Sequence, residues 1–283
     1  MVVGGIANAW VESPLQLICA VEYAFATHTP LRIVPRAGAL QLPATAARLR
    51  ELDLPSGVTI EAPRPLPTLS SSHWVVGDAF SGMTRSAIAM RMPQRLTIVD
   101  DGAESLRLPS VLTGSARLSR STDSAALQAL AELATTRVRD LDSRGAVELF
   151  SYYALDHAAR VPNRFRWLRS RGLSSVASRR VVLGTAAVAD GRMPESQYLD
   201  WLAGLETPVT YYPHRRETEA ALARIAALDG VRVESPGLPI ELVLAGGREL
   251  TVTSLPSSAV ETLRIVLLGS GSTIDVSQRL VAA

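Results

Sequence analysis

Short apolar runs alternate with amphipathic stretches along most of the chain. The runs at 5–11, 31–35, 58–62, 73–77 and 95–99 have strand length and are bounded by turn residues. Between them, 14–26, 41–51 and 80–90 carry apolar residues at helical spacing, and Pro14 suits a first helical turn, where its missing N–H costs nothing. Strands and helices that alternate in this way predict βα units on a parallel sheet, so the N-terminal part reads as a doubly wound lobe.

The pattern loosens over 103–170. An Ala/Leu-rich helix is expected at 124–134, followed by the aromatic run Phe150, Tyr152 and Tyr153 and then RVPNRFRWLRSRG at 160–172. Arginines interleaved with Phe165, Trp167 and Leu168 fit a segment that faces a membrane surface or an acceptor. They fit equally a solvated connector whose aromatic rings dock on a lobe. The boundary is placed there, giving lobes 1–170 and 171–283. Alternation then resumes, with strands at 180–184, 208–212, 231–234 and 249–253 and helices at 194–204, 217–228, 239–245 and 257–263. The expected fold is therefore α/β, with two Rossmann-like lobes facing a cleft. Ligands in such folds sit at the carboxyl ends of the strands, where helix N-termini collect anions.

Length and composition agree with two lobes: 283 residues, 47% hydrophobic and only 20% charged, are enough for two buried cores. The 29 basic residues are all arginine, against 27 acids. Without lysine there is no Walker-type phosphate loop and no Schiff-base chemistry. Arginine offers instead a planar fork matched to phosphate or carboxylate. A net charge of +2 is too small to imply a nucleic-acid partner. The one cysteine, Cys19, lies in an apolar run, which excludes an intrachain disulfide and a cysteine-cluster metal site and marks a core position. Glu12, Pro14 and Glu22 break the first apolar stretch, against a signal peptide. No run reaches the ~18 residues of a spanning helix. A cytoplasmic location is expected, with 160–172 as a possible peripheral membrane contact.

Several motifs fall where chemistry is expected. RLTIVDDG ends a strand on Asp100, Asp101 and Gly102, a placement suited to a general base, or to a turn with a helix cap. Neighbouring residues on a strand point apart, so one carboxylate of the two is expected to face substrate. In VTYYPHRRE, Pro213 and His214 follow a strand, and Arg215, Arg216 and Glu217 open a helix. The histidine there is placed to donate a proton or hydrogen bond to a leaving phosphate and the arginines to grip an anion; a plain polar loop is the alternative. Ser257 and Ser258 follow Pro256 at a helix start, either as a phosphate seat or as a capping box closed by Glu261. LGTAAVADG carries Gly184 and Thr185 into a loop that can meet a nucleotide, and Asp190 as a competing base. VESPGLPIELVL offers Glu234 and Glu241 for ribose hydroxyls. LGSGSTID has two glycines in GxG spacing without the third glycine or the helix of a dinucleotide fingerprint.

The order SPLQL (13–17), DDG (100–102), PHRRE (213–217), ESPGLPIEL (234–242) and SLPSSAVETL (254–263) resembles the bacterial sialyltransferases and polysialyltransferases around glycosyltransferase families 52 and 38. The resemblance spans most of the chain and implies the GT-B arrangement, with CMP-sialic acid as donor substrate, a glycan as acceptor, and no further cofactor and no metal. It implies that Asp100 or Asp101 is the base on the acceptor hydroxyl, with Asp190 kept as an alternative. His214 would assist departure of CMP, and Ser257 and Ser258 would bind donor phosphate. Ser13 and Gln16 would touch the acceptor sugar, while Gly184, Thr185, Pro213, Arg215 and Glu234 would complete the donor site. The chain departs from the family at one point: the proline precedes His214, and Arg215 follows it.

Overall fold

The computed structural model describes residues 5–172, 176, 178–235 and 237–277, so Pro236 of the ESPGLPIEL motif lies outside the described residues. The chain divides into two compact units, Met1–Trp167 and Leu168–Ala283.

Among the described residues unit 1 is built on seven strands: β1 (Ala7–Val11), β2 (Leu31–Pro35), β3 (Val58–Ile60), β4 (His73–Val76), β5 (Arg95–Val99), β6 (Val147–Ser151) and β7 (Arg160–Pro162). All are parallel, in the order β3-β2-β1-β4-β5-β6-β7. The helices are α1 (Pro14–Thr27), α2 (Leu42–Arg50), α3 (Gly82–Met90), α4 (Leu108–Leu112) and α5 (Ala125–Ser143). Strands such as β1 are buried along their whole length because helices cover both faces of a parallel sheet, which is why they read as unbroken apolar runs. One face packs Trp10, Trp74, Ile98 and Leu149 against Ile88, Val111, Val138 and Leu141 of α3, α4 and α5. Ser13 caps α1 by accepting from the Gln16 N–H, and Pro14 sits in the first turn. Cys19 lies on the buried face of that helix.

The irregular stretch contains more than its pattern announced. α5 runs on to Ser143, past the expected 124–134, because Ala131, Ala134, Val138 and Leu141 continue a buried stripe among charged outward positions. β6 and β7 were not expected: Glu148 interrupts the first, and the second has only three residues. The membrane-surface reading of 160–172 is corrected here. Phe165, Trp167 and Leu168 are all buried, so the aromatic rings dock inward and offer no apolar face, and the Trp167 backbone N–H donates to Glu22 of α1. Among the described residues no helix is long and apolar enough to cross a membrane.

A short helix, α6 (Arg166–Ser170), spans the division between the units. Among the described residues unit 2 has five parallel strands: β8 (Arg180–Leu183), β9 (Val209–Tyr212), β10 (Val231–Val233), β11 (Thr251–Ser254) and β12 (Thr273–Val276), ordered β10-β9-β8-β11-β12. Its helices are α7 (Glu195–Ala203), α8 (Glu219–Ala226), α9 (Ile240–Leu244) and α10 (Ser258–Val266). Two apolar clusters cover its sheet, one around Tyr198, Leu202, Tyr211 and Ile225, the other around Leu244, Leu250, Val252 and Leu263. The LGSGSTID glycines precede β12, with Gly269 and Gly271 at positive φ in the turn that leads into it. Both units are thus Rossmann-like, and in each the strand order reverses once, between β1 and β4 and between β8 and β11.

Candidate active-site residues

A reversal of strand order opens a crevice at the strands' carboxyl ends, because successive helices leave to opposite faces. In unit 1 the crevice is acidic. Glu12 follows β1, Asp78 follows β4, and Asp101 follows β5, one strand farther along. Glu12 is held by Arg36 at 2.6 Å and by the Ser81 hydroxyl, and Asp78 by Arg120 at 2.6 Å and the Phe80 N–H at 2.8 Å. Burial and the neighbouring Asp101 carboxylate, opposed by Arg120, push Asp78 up to about 6.

Asp100 and Asp101 point apart. Asp100 is buried and accepts 2.6 Å bonds from the Ser151 hydroxyl and the Tyr152 N–H, which tie β5 to the end of β6. Burial raises its pKa to about 7 in spite of these donors. Asp101 stays half-exposed, with Gly102 at φ 69° turning the chain behind it. Its carboxylate accepts from Ser13 at 3.3 Å, and among the described residues no arginine pairs with it. Of the two carboxylates, Asp101 is therefore the more accessible. Gln16 is buried; its side-chain oxygen accepts from the Glu12 N–H at 2.6 Å and packs against Gly77. It shapes the turn beneath Ser13 and Asp101.

In unit 2 the crevice is lined by hydroxyls and N–H groups. Gly184 and Thr185 follow β8; Pro256, Ser257 and Ser258 follow β11 and open α10. Ser257 occupies the N-cap with extended backbone, yet its hydroxyl makes no capping bond, and Ser258 is already the first helical residue. The expected capping box from Ser258 to Glu261 is not formed, because Ser258 stands one position too far into the helix to cap it. Both serines are exposed, at the positive end of a nine-residue helix. Thr185 accepts from the Ala187 N–H at 3.1 Å.

His214 and Pro213 sit half-buried at the end of β9, beside the β8 loop. The His214 Nδ1 accepts from the Arg216 N–H at 3.2 Å, which leaves Nε2 to carry the proton of the neutral ring. Burial, then Arg215 and Arg216, lower its pKa against the opposing pull of Asp190. The ring is thus a neutral hydrogen-bond donor at pH 7. Asp190 is gripped by Arg192 at 2.9 Å and Arg216 at 2.6 Å, so its carboxylate is already engaged by two guanidiniums. Arg215 is exposed and, among the described residues, has no ion-pair partner.

Two acids stand elsewhere. Glu234 follows the edge strand β10, two strands from β8, and pairs with Arg232 at 3.1 Å. Glu241 is buried and accepts from Thr262 at 2.6 Å, joining α9 to α10, so the ribose-binding reading of Glu241 is corrected to an internal one. Glu12, Asp78 and Glu217 carry no motif that marks them as functional in the sequence. Glu217 accepts from the Tyr211 hydroxyl at 2.5 Å and the His214 N–H at 2.6 Å, and burial raises its pKa. Its only signal was its place in PHRRE, where an acid looks like an ordinary helix opener. It also borders a cavity of about 190 Å³ lined by Val188, Tyr198, Leu199, Thr218 and Ile225.

No protein-family model matches the sequence, and no curated protein does. Solved structures similar to the chain include a UDP-GlcNAc 2-epimerase from Methanocaldococcus jannaschii, with 10% identity, a TM-score of 0.48, and coverage of 95% of this chain and 88% of that one. A UDP-glucosyltransferase from Polygonum tinctorium capable of glucosylating indoxyl has 11% identity, a TM-score of 0.45 and coverage of 99% and 87%. A Streptomyces sp. SF2575 glycosyltransferase has 11% identity, a TM-score of 0.35 and coverage of 98% and 89%. The class itself, an α/β protein of two Rossmann-like units, is defined by the chain's own two sheets.

Proposed function

We propose that the chain is a glycosyltransferase in which unit 2 binds a nucleotide-activated sugar and Asp101 of unit 1 deprotonates the acceptor hydroxyl. The observation that carries this reading is the pair of exposed hydroxyls, Ser257 and Ser258, uncommitted among the described residues, at the N-terminus of α10 where the strand order of unit 2 reverses. Such a terminus offers N–H groups and a positive potential to phosphate, and free hydroxyls add donors. In the proposed reaction the acceptor O–H loses its proton to Asp101, and the oxygen attacks the anomeric carbon from the face opposite the phosphate. The bond from that carbon to the phosphate oxygen breaks, and its electron pair leaves with the nucleotide. The anomeric centre inverts. His214, neutral and protonated on Nε2, donates a hydrogen bond to the leaving phosphate, and the serines and helix dipole stabilise its charge.

The finer reading is a CMP donor carrying sialic acid or a related acidic sugar, with a glycan as acceptor. It rests on the order of the DDG, PHRRE and SLPSSAVETL motifs, and the exposed Arg215, without an ion-pair partner among the described residues, suits the carboxylate of such a sugar. The test is release of CMP from CMP-sialic acid in the presence of candidate glycans. Acceptor-dependent release, lost in Asp101→Asn and in Ser257→Ala/Ser258→Ala, supports the reading. Release of UDP from UDP-sugars in its place moves the donor class and keeps the enzyme class. Nucleotide binding without any turnover overturns the transferase.

A further inference from the structure

From the geometry around Glu217 we infer that this side chain is a positioning residue: one carboxylate holds the two loops, after β8 and after β9, to which the donor site has been assigned. The inference rests on that assignment for its functional part and on the hydrogen bonds alone for its structural part. Glu217 lies in the turn between β9 and α8, just ahead of the Thr218 cap. Its Oε2 accepts the His214 N–H at 2.6 Å, and the Thr185 N–H lies beside the same carboxylate and favours its ionised form. Its Oε1 accepts the Tyr211 hydroxyl at 2.5 Å, and that hydroxyl lies 2.8 Å from the hydroxyl of Tyr198 on α7. A single half-buried group thus draws together the ends of two adjacent strands and one flanking helix.

The absence of a side chain at 184 belongs to the same arrangement. A Cβ there would lie 2.3 Å from the Glu217 Oε2, 2.5 Å from the His214 nitrogen and 2.9 Å from the Tyr211 hydroxyl. Only glycine lets the β8 loop approach the carboxylate this closely. Gly184, a donor-site residue in the proposed scheme, is by its contacts also the gap through which Glu217 reaches both loops. Ionised acceptors form the stronger class of hydrogen bond, so several donors converging on one carboxylate make a rigid junction where loops would otherwise move. Glu217 touches no reacting atom in this scheme. It fixes the backbone of His214, and hence the direction of the imidazole, and the backbone of Thr185.

The test follows two signals on the full-length chain, amide hydrogen exchange at His214 and Thr185 and the affinity for CMP and UDP measured by calorimetry. In Glu217→Gln the amide group presents a donor where an acceptor is needed. Exchange at those two amides should quicken by about tenfold or more, with the Gly77 amide of unit 1 unchanged. Nucleotide affinity should fall by about tenfold. Tyr211→Phe keeps the carboxylate and removes one donor, so exchange should quicken and nucleotide affinity should fall by about two- to threefold, and this variant decides the matter if Glu217→Gln does not fold. Glu217→Asp, one methylene short, should not restore either signal. Wild-type exchange at both amides in the variants overturns the junction. Faster exchange with unchanged nucleotide affinity overturns the positioning role. If the wild-type chain binds neither nucleotide, the donor-site reading and the positioning role fall together, and the exchange rates still decide whether the junction exists.

Discussion

Asp100 and Asp101 show how far a single residue's role depends on which side of a strand it faces. They are neighbours of one chemical type, yet Asp100 is buried against Ser151 and Tyr152 while Asp101 is half-exposed beside Ser13. Asp101→Asn should therefore lower the proposed transfer rate by about 10²-fold or more while leaving the urea midpoint unchanged. Asp100→Asn should leave turnover largely intact and alter the response of stability to pH. The reason is the sign of its shift. With a folded value of about 7 against an ordinary 3.8, Asp100 is protonated in the folded state and ionised in the unfolded chain between those limits. Over that window the unfolded chain binds fewer protons, so stability is full below pH ~4 and declines as pH rises toward 7. Asp78, raised to about 6, acts in the same direction. The span for Asp100 corresponds to ~4 kcal/mol. Urea unfolding followed from pH 4 to 8 should show a decline that is shallower in Asp100→Asn; an unchanged slope would sink the assignment.

At the scale of elements, the strand ends are set by close packing that leaves no room for a methyl group. A Cβ at Gly77 would lie 2.1 Å from the Gln16 side-chain oxygen, and Gln16 is itself buried and bonded to the Glu12 N–H. Gly77→Ala should destabilise unit 1 by about 1–3 kcal/mol, as overpacking does. It should also disturb the β1 turn that carries Ser13, which denaturant melts together with Asp101-dependent turnover can check. At the corresponding place in unit 2 the α10 terminus is loosely built, with a capping residue whose hydroxyl does not cap. Replacing Ser257 and Ser258 by alanine should therefore change thermal stability little, where removal of a working cap costs about 1 kcal/mol. The loss should appear in nucleotide binding. Elements were legible wherever one period ran undiluted: the apolar strands of β1 to β5 and the spacing of α1, α2 and α3 are plain in the sequence. β6, β7 and β12 were not, since a short strand carrying Glu148, Arg160 or Asp275 has no clean two-residue alternation to read.

For the whole molecule, the two Rossmann-like units carry different chemistry at equivalent places. Carboxylates gather at the reversal in unit 1, hydroxyls and N–H groups at the reversal in unit 2. A fragment spanning 168–283 should on this basis keep nucleotide binding and lack transfer. At a nucleotide concentration a hundred times its Kd, binding should stabilise the fragment by ~2.7 kcal/mol. Thermal melts of the fragment with and without CMP and UDP measure this directly.

Period, turn residues and composition were enough to establish a lobed α/β chain, to reject lysine-based and cysteine-based chemistry, and to mark DDG, PHRRE and SLPSSAVETL as strand-end motifs. These are local properties: helix and strand periods, glycine and proline positions, and residue types are written along the chain. Tertiary structure alone decided which aspartate turns inward, why Glu241 and Gln16 are buried, and that Asp190 is held by two arginines. It also brought Glu217 to two loops at once through the gap at Gly184. Those outcomes depend on contacts between residues far apart in sequence, and burial and charge pairing, which set a carboxylate's reactivity, are created by the neighbours that folding supplies.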